Sequence, residues 1–356
     1  MAEDTTSLHD SRPVIYVGGQ EQPDLGGGLL GLLICEQTNG LYRCEAKFSN
    51  WGQKNGTTDF LYFDRKLLDF GKGFQVKLGG DTLFDGRVMG LEADYPEAGP
   101  PTVNVLAEDR FQDLRMTRRT RTFADVSDSD VMNQIANDHS LSPSVSVTGP
   151  QYKVLAQVNQ SDLAFLRERA RAVDAELWMD GNTLNAKTHS GRGDDTLQLT
   201  HGAELRSFCV LADLAMQRTS VAVNGWDVSG KQALQYEATD SAISSELNGD
   251  ESGVQILQSK IGARKEALAH TVPLNSQEAQ AEAEAFFRLC ARRFLTARGV
   301  AETKAKLRVG NKVELQKLGP MFDGKYYLTE IKHLFDSAKG LRTEFTAERA
   351  GVGRGQ

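Results

Sequence analysis

Two stretches of the chain repeat one another in order. The first reads Gly73, Val76, Leu78, Phe84-Asp85-Gly86 and then Ala107-Glu108-Asp109-Arg110. The second reads Gly310, Val313, Leu315, Phe322-Asp323-Gly324 and then Ala347-Glu348-Arg349, with nearly the same spacings. Each copy is expected to form a strand, a turn, a strand over the Asp-Gly pair and a closing strand. Turn chemistry alone recruits Asp and Gly, so chance matching is the competing reading. Self-similarity at this distance implies duplicated domains and not a solenoid of short repeats. Two similar β-barrels per chain follow from it. A trimer of such chains would present six similar units in a closed ring.

The local pattern fills in the organisation. Asn39-Gly40 lies between two strand-like runs, a strong hairpin signal. Phe74, Val76 and Leu78 alternate with polar neighbours, as do Val103, Val105 and Ala107. The middle of the chain differs. Ser127 precedes Asp130 by three, a capping-box start for a helix carrying Val131, Met132, Ile135 and Ala136 on one face. Ser161-Asp162 opens a second helix with Leu163, Leu166, Ala170 and Val173 inward, and Asp180-Gly181-Asn182 marks a hairpin. Ser276 and Gly299 bracket a long amphipathic helix through Ala283, Phe286, Phe287, Cys290, Phe294 and Ala297. The expected fold class is mainly β with an α+β insertion. Residues 1–13 read as a loose segment, 14–116 as the first β-barrel and 117–200 as the insertion. Residues 201–349 read as the second barrel with a helix over 276–298, and 350–356 as a flexible tail.

Composition narrows the function classes. A net charge of −7 disfavours nucleic-acid recognition, because neutralising phosphates needs a surplus of Lys and Arg. The longest apolar stretch, Leu29 to Cys35, is far too short to span a bilayer, and no basic start followed by an apolar run marks a secretory signal. Cys35, Cys44, Cys209 and Cys290 have no metal-ligand spacing and read as reduced, mostly buried thiols of a cytosolically made protein. No cofactor is expected.

The nearly continuous stretch from residue 74 to 184 resembles a known family. It carries Leu83-Phe84-Asp85-Gly86-Arg87-Val88, Ala107-Glu108-Asp109-Arg110-Phe111 and Arg118-Arg119-Thr120-Arg121-Thr122-Phe123. The run Ser161-Asp162-Leu163-Ala164-Phe165-Leu166-Arg167-Glu168-Arg169-Ala170 follows, and residues 307–333 and 343–349 also fit. These segments resemble the phage late control gene D protein and the N-terminal hub part of VgrG proteins. Residues 1–70 and 225–275 fit weakly. The resemblance implies a structural homotrimeric baseplate hub, with no catalytic role, between a hexameric tail tube and a spike, among other baseplate or tape-measure proteins. VgrG chains continue into a spike, whereas this sequence stops at Gln356, so the spike is expected on a separate polypeptide. That favours a phage tail, a tailocin or an extracellular contractile injection system.

Sharper motifs are weaker. Gly26-x-Gly28-x-x-Gly31 matches a dinucleotide fingerprint, yet a strand-like run follows where a helix should open. Asp125, Asp128 and Asp130 lack the Gly and Glu of a calcium loop and read better as helix capping. Arg192-Gly193-Asp194 reads as a glycine-rich loop. A peptidoglycan-degrading enzyme associated with the hub is the enzymatic rival reading, against which stands the lack of any nucleophile–base signature, and a soluble small-ligand binder is a third. Arg115, Arg118, Arg119 and Arg121 form a basic cluster in an acidic chain, a candidate inter-subunit interface or a solvated face.

Overall fold

Alternating burial along most strands shows why this chain builds sheets: on Arg43–Ser49, Cys44, Ala46 and Phe48 point inward while their neighbours face out. The computed structural model describes residues 12–193, 195–228, 230–269 and 272–354. The first strand set holds β1 (Val14–Val17), β2 (Gln20–Glu21), a short helix α1 (Pro23–Gly27), β3 (Leu29–Gln37) and β4 (Arg43–Ser49). A small hairpin of β5 (Trp51–Lys54) and β6 (Thr57–Phe60) precedes β7 (Gly73–Leu78), β8 (Asp81–Asp94) and β9 (Thr102–Glu108).

An α+β insertion follows. It runs through α2 (Gln112–Arg115), β10 (Arg118–Ser127), α3 (Asp128–Asp138), β11 (Ser142–Ser146), β12 (Gln151–Ser161), α4 (Asp162–Ala172), β13 (Ala175–Asp180) and β14 (Thr183–Thr188). The caps read from sequence are present. Ser127 and Asp130 form the reciprocal capping box of α3, and Ser161 accepts the Ala164 amide at the start of α4. The insertion has its own core, with Phe123, Ile135, Phe165, Leu166 and Leu184 buried together.

The second strand set starts with β15 (Thr196–Thr200) and β16 (Leu205–Ala212). A second α+β unit interrupts it: β17 (Ser220–Asp227), β18 (Gln232–Ala238), β19 (Glu251–Ser252), α5 (Gly253–Lys260), β20 (Lys265–Leu268) and α6 (Ser276–Arg292). Val221, Val223, Ala283 and Phe287 share a core there. Then come β21 (Leu295–Glu302), β22 (Lys312–Gln316), β23 (Gly324–Asp336), β24 (Gly340–Arg349) and β25 (Gly351–Val352).

The two sets have the same strand order. In the sheet the first runs β3-β4-β9-β8-β7-β1 and the second β16-β21-β24-β23-β22-β15. The pairing matches down to irregularities. Arg87↔Glu108 and Val88↔Ala107 correspond to Tyr327↔Glu348 and Leu328↔Ala347, and both ladders then bulge, at Met89 and Thr329. The β3–β4 and β16–β21 ladders bulge at Leu30 and Arg206. One difference breaks the match: β1 is antiparallel to β7, whereas β15 is parallel to β22.

Four sequence expectations are corrected. The sets are not two separately bonded barrels; β3 pairs with β23, so thirteen strands of the described residues form one sheet. The Asp-Gly pairs are not equivalent either. Phe84 pairs with Val76 inside β8, and the residue in that place in β23 is Gly324, paired with Leu315, while Phe322 and Asp323 sit in the preceding turn. The helix over 276–298 ends at Arg292, and Asn275, not Ser276, caps it by accepting the Glu278 amide. Beyond it Leu295, Ala297 and Ala301 alternate inward as β21, and Gly299 lies against the Phe345 ring instead of ending a helix. Within the expected flexible tail of 350–356, Gly351 and Val352 are tied down as β25, which pairs with β19 and buries Val352. Of the expected loose start, residues 1–11 lie outside the described residues, and Arg12 donates to the Gly27 carbonyl.

Candidate assembly surface

The joint between the two strand sets is an antiparallel seam running from Glu330↔Gln37 to Asp336↔Gly31. Its inner face is apolar except at two points. Glu36 is fully buried, accepts the Val309 amide at 3.1 Å and lies 2.5 Å from the Arg308 guanidinium, an ion pair that compensates its burial. His333 is also fully buried, with Nδ1 2.8 Å from the Thr343 hydroxyl. That hydroxyl donates onward to Thr303, so it accepts from His333 Nδ1–H. Burial, and next the Arg308 charge, pull the imidazole down to about 3, so near neutral pH it carries no charge in the folded protein.

Buried ion pairs pin the insertions to this frame. Glu176 of β13 receives His189 Nδ1 at 2.9 Å, an Arg192 N–H at 2.8 Å and the Tyr327 hydroxyl at 2.7 Å. Burial alone would raise the Glu176 carboxyl, but the His189 hydrogen bond and the Arg192 charge hold it below the usual glutamate range. Arg192 also donates to the Tyr42 hydroxyl at 2.7 Å and stacks over Trp178. Burial pushes the Tyr42 phenol up to about 12. One network therefore touches the first strand set, the first insertion and the second set. A second pin ends α6: Arg292 reaches Asp174 at 2.5 Å and Glu246 at 2.7 Å. Between α4 and α6 lies a cleft of about 860 Å³ with Arg171, Glu282 and Arg293 on its walls.

The arginine cluster is used inside the chain. Arg115 pairs with Glu108 at 2.6 Å, Arg119 with Asp162 at 3.1 Å, and Arg121 with Asp138 at 2.7 Å and Asp162 at 2.9 Å. Arg118 donates to the Asn159 carbonyl. Asp162 also meets His139 at 2.8 Å. Burial would raise the Asp162 carboxyl, but the His139 and Gln157 hydrogen bonds and the two arginine charges hold it low. Arg119 and Arg121 thus find carboxylates in their own insertion, and Arg115 finds one at the end of β9.

The other motifs also have structural places. Helix α1 ends at Gly27 and a strand opens at Leu29, so no helix N-terminus meets the glycine fingerprint. Asp125 pairs with Lys153 and Asp130 caps α3, whereas Asp128 is no cap: it is buried against Arg169 and the Tyr152 hydroxyl. Arg192 is the buried strut described above, and Asp194 lies outside the described residues. Sequence reasoning missed Glu36, Glu176, Arg292 and His333. Their partners lie far along the chain, so no local spacing marks them.

This architecture, a duplicated strand order fused into one sheet with two α+β insertions, is the fold of prophage tail proteins. The 43 kDa tail protein of prophage MuSo2 from Shewanella oneidensis superposes with a TM-score of 0.71 at 13% identity, covering 95% of this chain and 98% of that one. A tail protein from Neisseria meningitidis gives 0.68 at 12% identity, covering 96% and 97%. An Escherichia coli component of the type VI secretion system gives 0.55 at 12% identity, covering 92% and 76%. The chain belongs to the family described as Alg8 N-terminal domain, whose model matches residues 52–336. No curated relative matches it. Among the described residues, no helix is long and apolar enough to cross a membrane.

Proposed function

We propose that this protein is the structural hub of a contractile-tail baseplate, in a phage, a tailocin or an extracellular contractile injection system. It acts as a homotrimer that joins the hexameric inner tube to a trimeric spike carried on another polypeptide. The observation that carries this reading is the duplicated strand order within one chain. Two equivalent strand sets per chain become six in a trimer, so a three-fold object can meet a six-fold one face to face. The tail-protein fold supports the same role. The role is one of assembly and symmetry matching, without catalysis. The test is mass determination of the purified protein, alone and with candidate tube and spike proteins. A trimer that binds both is expected, and a chain that stays monomeric and binds neither overturns the proposal. Clearing of cell-wall suspensions that one carboxylate substitution abolishes would favour the enzymatic rival.

A further inference from the structure

Glu108 and Glu348 occupy the same place in the two strand sets, yet only one of them holds an arginine. In the ladders Glu108 stands opposite Arg43 on β4 and Arg87 on β8. Glu348 stands opposite Thr296 on β21 and Tyr327 on β23. Arg115 grips Glu108 with two guanidinium nitrogens, at 3.1 and 2.6 Å. No described residue forms a hydrogen bond or ion pair with the Glu348 carboxylate. The Tyr327 hydroxyl is committed to Glu176. After β9 the chain enters α2, which brings Arg115, whereas after β24 it turns away to pair with β19.

Glu348 lines the cleft between α4 and α6, whose volume of about 860 Å³ is that of a ligand site. Burial raises its carboxyl above the ordinary glutamate range, although the His189, Arg292 and Arg293 charges pull the other way. A half-buried carboxylate without a partner costs folded stability, and such groups gather where a ligand uses them. One wall of the cleft is apolar, formed by Phe286 and Leu289 of α6, and Leu289 is 42% exposed. Arg171 of α4 and Arg293 of α6 also line it; both are exposed, and neither pairs with a carboxylate of the described residues.

We propose that this cleft is a docking slot for an arginine side chain on a protruding segment of another protein, its guanidinium meeting Glu348 and its aliphatic stem packing on Phe286 and Leu289. The first strand set shows the geometry, because Arg115 binds Glu108 there through two bonds. A planar guanidinium matches a carboxylate in this forked way, and a lysine ammonium does not. Arg171 and Arg293 add a second requirement, acidic residues beside the arginine. The partner is therefore an acidic segment with a central arginine, complementary in charge to the floor and to the walls. The slot rests on the duplicated ladder and the cleft, and neither depends on the hub reading or on the oligomeric state.

Fluorescence anisotropy of a fluorescein-labelled Asp-Leu-Arg-Leu-Asp peptide with the full chain tests the slot. Saturable binding is expected, and the same peptide with citrulline in place of arginine should bind about tenfold more weakly or worse. Glu348→Gln should bind the two peptides alike, and Arg293→Glu should weaken the arginine peptide. A wild-type chain that binds neither peptide, or does not distinguish them, overturns the slot. Thermal melts supply a readout independent of the peptide. Glu348→Gln removes an unpaired carboxylate and is expected to raise the melting temperature. Glu108→Gln weakens the hold of Arg115 and is expected to lower it. A comparable fall in both variants means that Glu348 is already paired inside the chain and overturns the proposal. A drop in oligomer mass with Glu348→Gln assigns the cleft to a second copy of this chain and overturns docking of another protein. Each of these failures leaves the hub reading standing.

Discussion

Tyr327 of β23 donates its hydroxyl to Glu176 of β13 at 2.7 Å, so the second strand set holds the first insertion through one buried carboxylate. Without Tyr327, Glu176 keeps His189 and Arg192. Tyr327→Phe is therefore expected to cost about 1.5–3 kcal/mol, the range for a hydrogen bond to a charged group. Glu176→Ala leaves Arg192 buried without its counter-charge and is expected to cost about 3–5 kcal/mol. Urea denaturation of the two variants checks the order.

His333 predicts a pH dependence. Its folded value is depressed from 6.5 to about 3 by burial and by Arg308. Below pH 6.5 the unfolded chain takes up a proton that the folded chain refuses until about pH 3. The stabilisation is therefore present above pH 6.5 and is lost as pH falls through that window, at up to about 1.4 kcal/mol per pH unit. His333→Leu is expected to flatten this part of the profile. Denaturant midpoints of both proteins at pH 7 and pH 5.5 give the comparison.

Gly299 tests the corrected end of α6. Its φ is not positive, and a Cβ there would stand 2.3 Å from the Phe345 ring. Gly299→Ala should cost about 1–3 kcal/mol through overpacking in the sheet. Gly26→Ala, which meets nothing within 4 Å, is expected to be neutral or slightly stabilising. Thermal melts of the pair decide it.

The basic cluster separates by position. Arg121 binds Asp138, Asp162 and Gln157, so Arg121→Ala is expected to lose about 1–3 kcal/mol. Arg118 is exposed and meets only a carbonyl oxygen, so Arg118→Ala should stay within about 0.5 kcal/mol. A change of oligomer mass with Arg118→Ala alone would place the cluster at a subunit interface.

Short-range signals were legible in the sequence because their chemistry is short-range. The Ser127–Asp130 capping box, the Ser161 cap and the Gly181-Asn182 hairpin each satisfy backbone groups within a few residues, and all three stand in the structure. The closing Ala-Glu pairs, Ala107-Glu108 and Ala347-Glu348, occupy equivalent ladder positions, so the duplication itself was readable. Its register was not, because Asp-Gly lies inside a strand in one copy and straddles the start of a strand in the other. Helix period alone also ran past Arg292, since Ala297 fits a helical stripe and an inward strand face equally well.

Tertiary structure decided what depends on distant partners. The fusion of β3 to β23, the burial of Glu36 and His333 beneath it, and the bonds of Arg192 to both Tyr42 and Glu176 join segments far apart in the chain. Local propensity carries no information about such pairings, because a strand edge bonds any suitable backbone that packing delivers to it. By itself the sequence determined a duplicated, mainly β chain with helical insertions. Only the folded chain showed the two strand sets joined through the β3–β23 seam into one sheet.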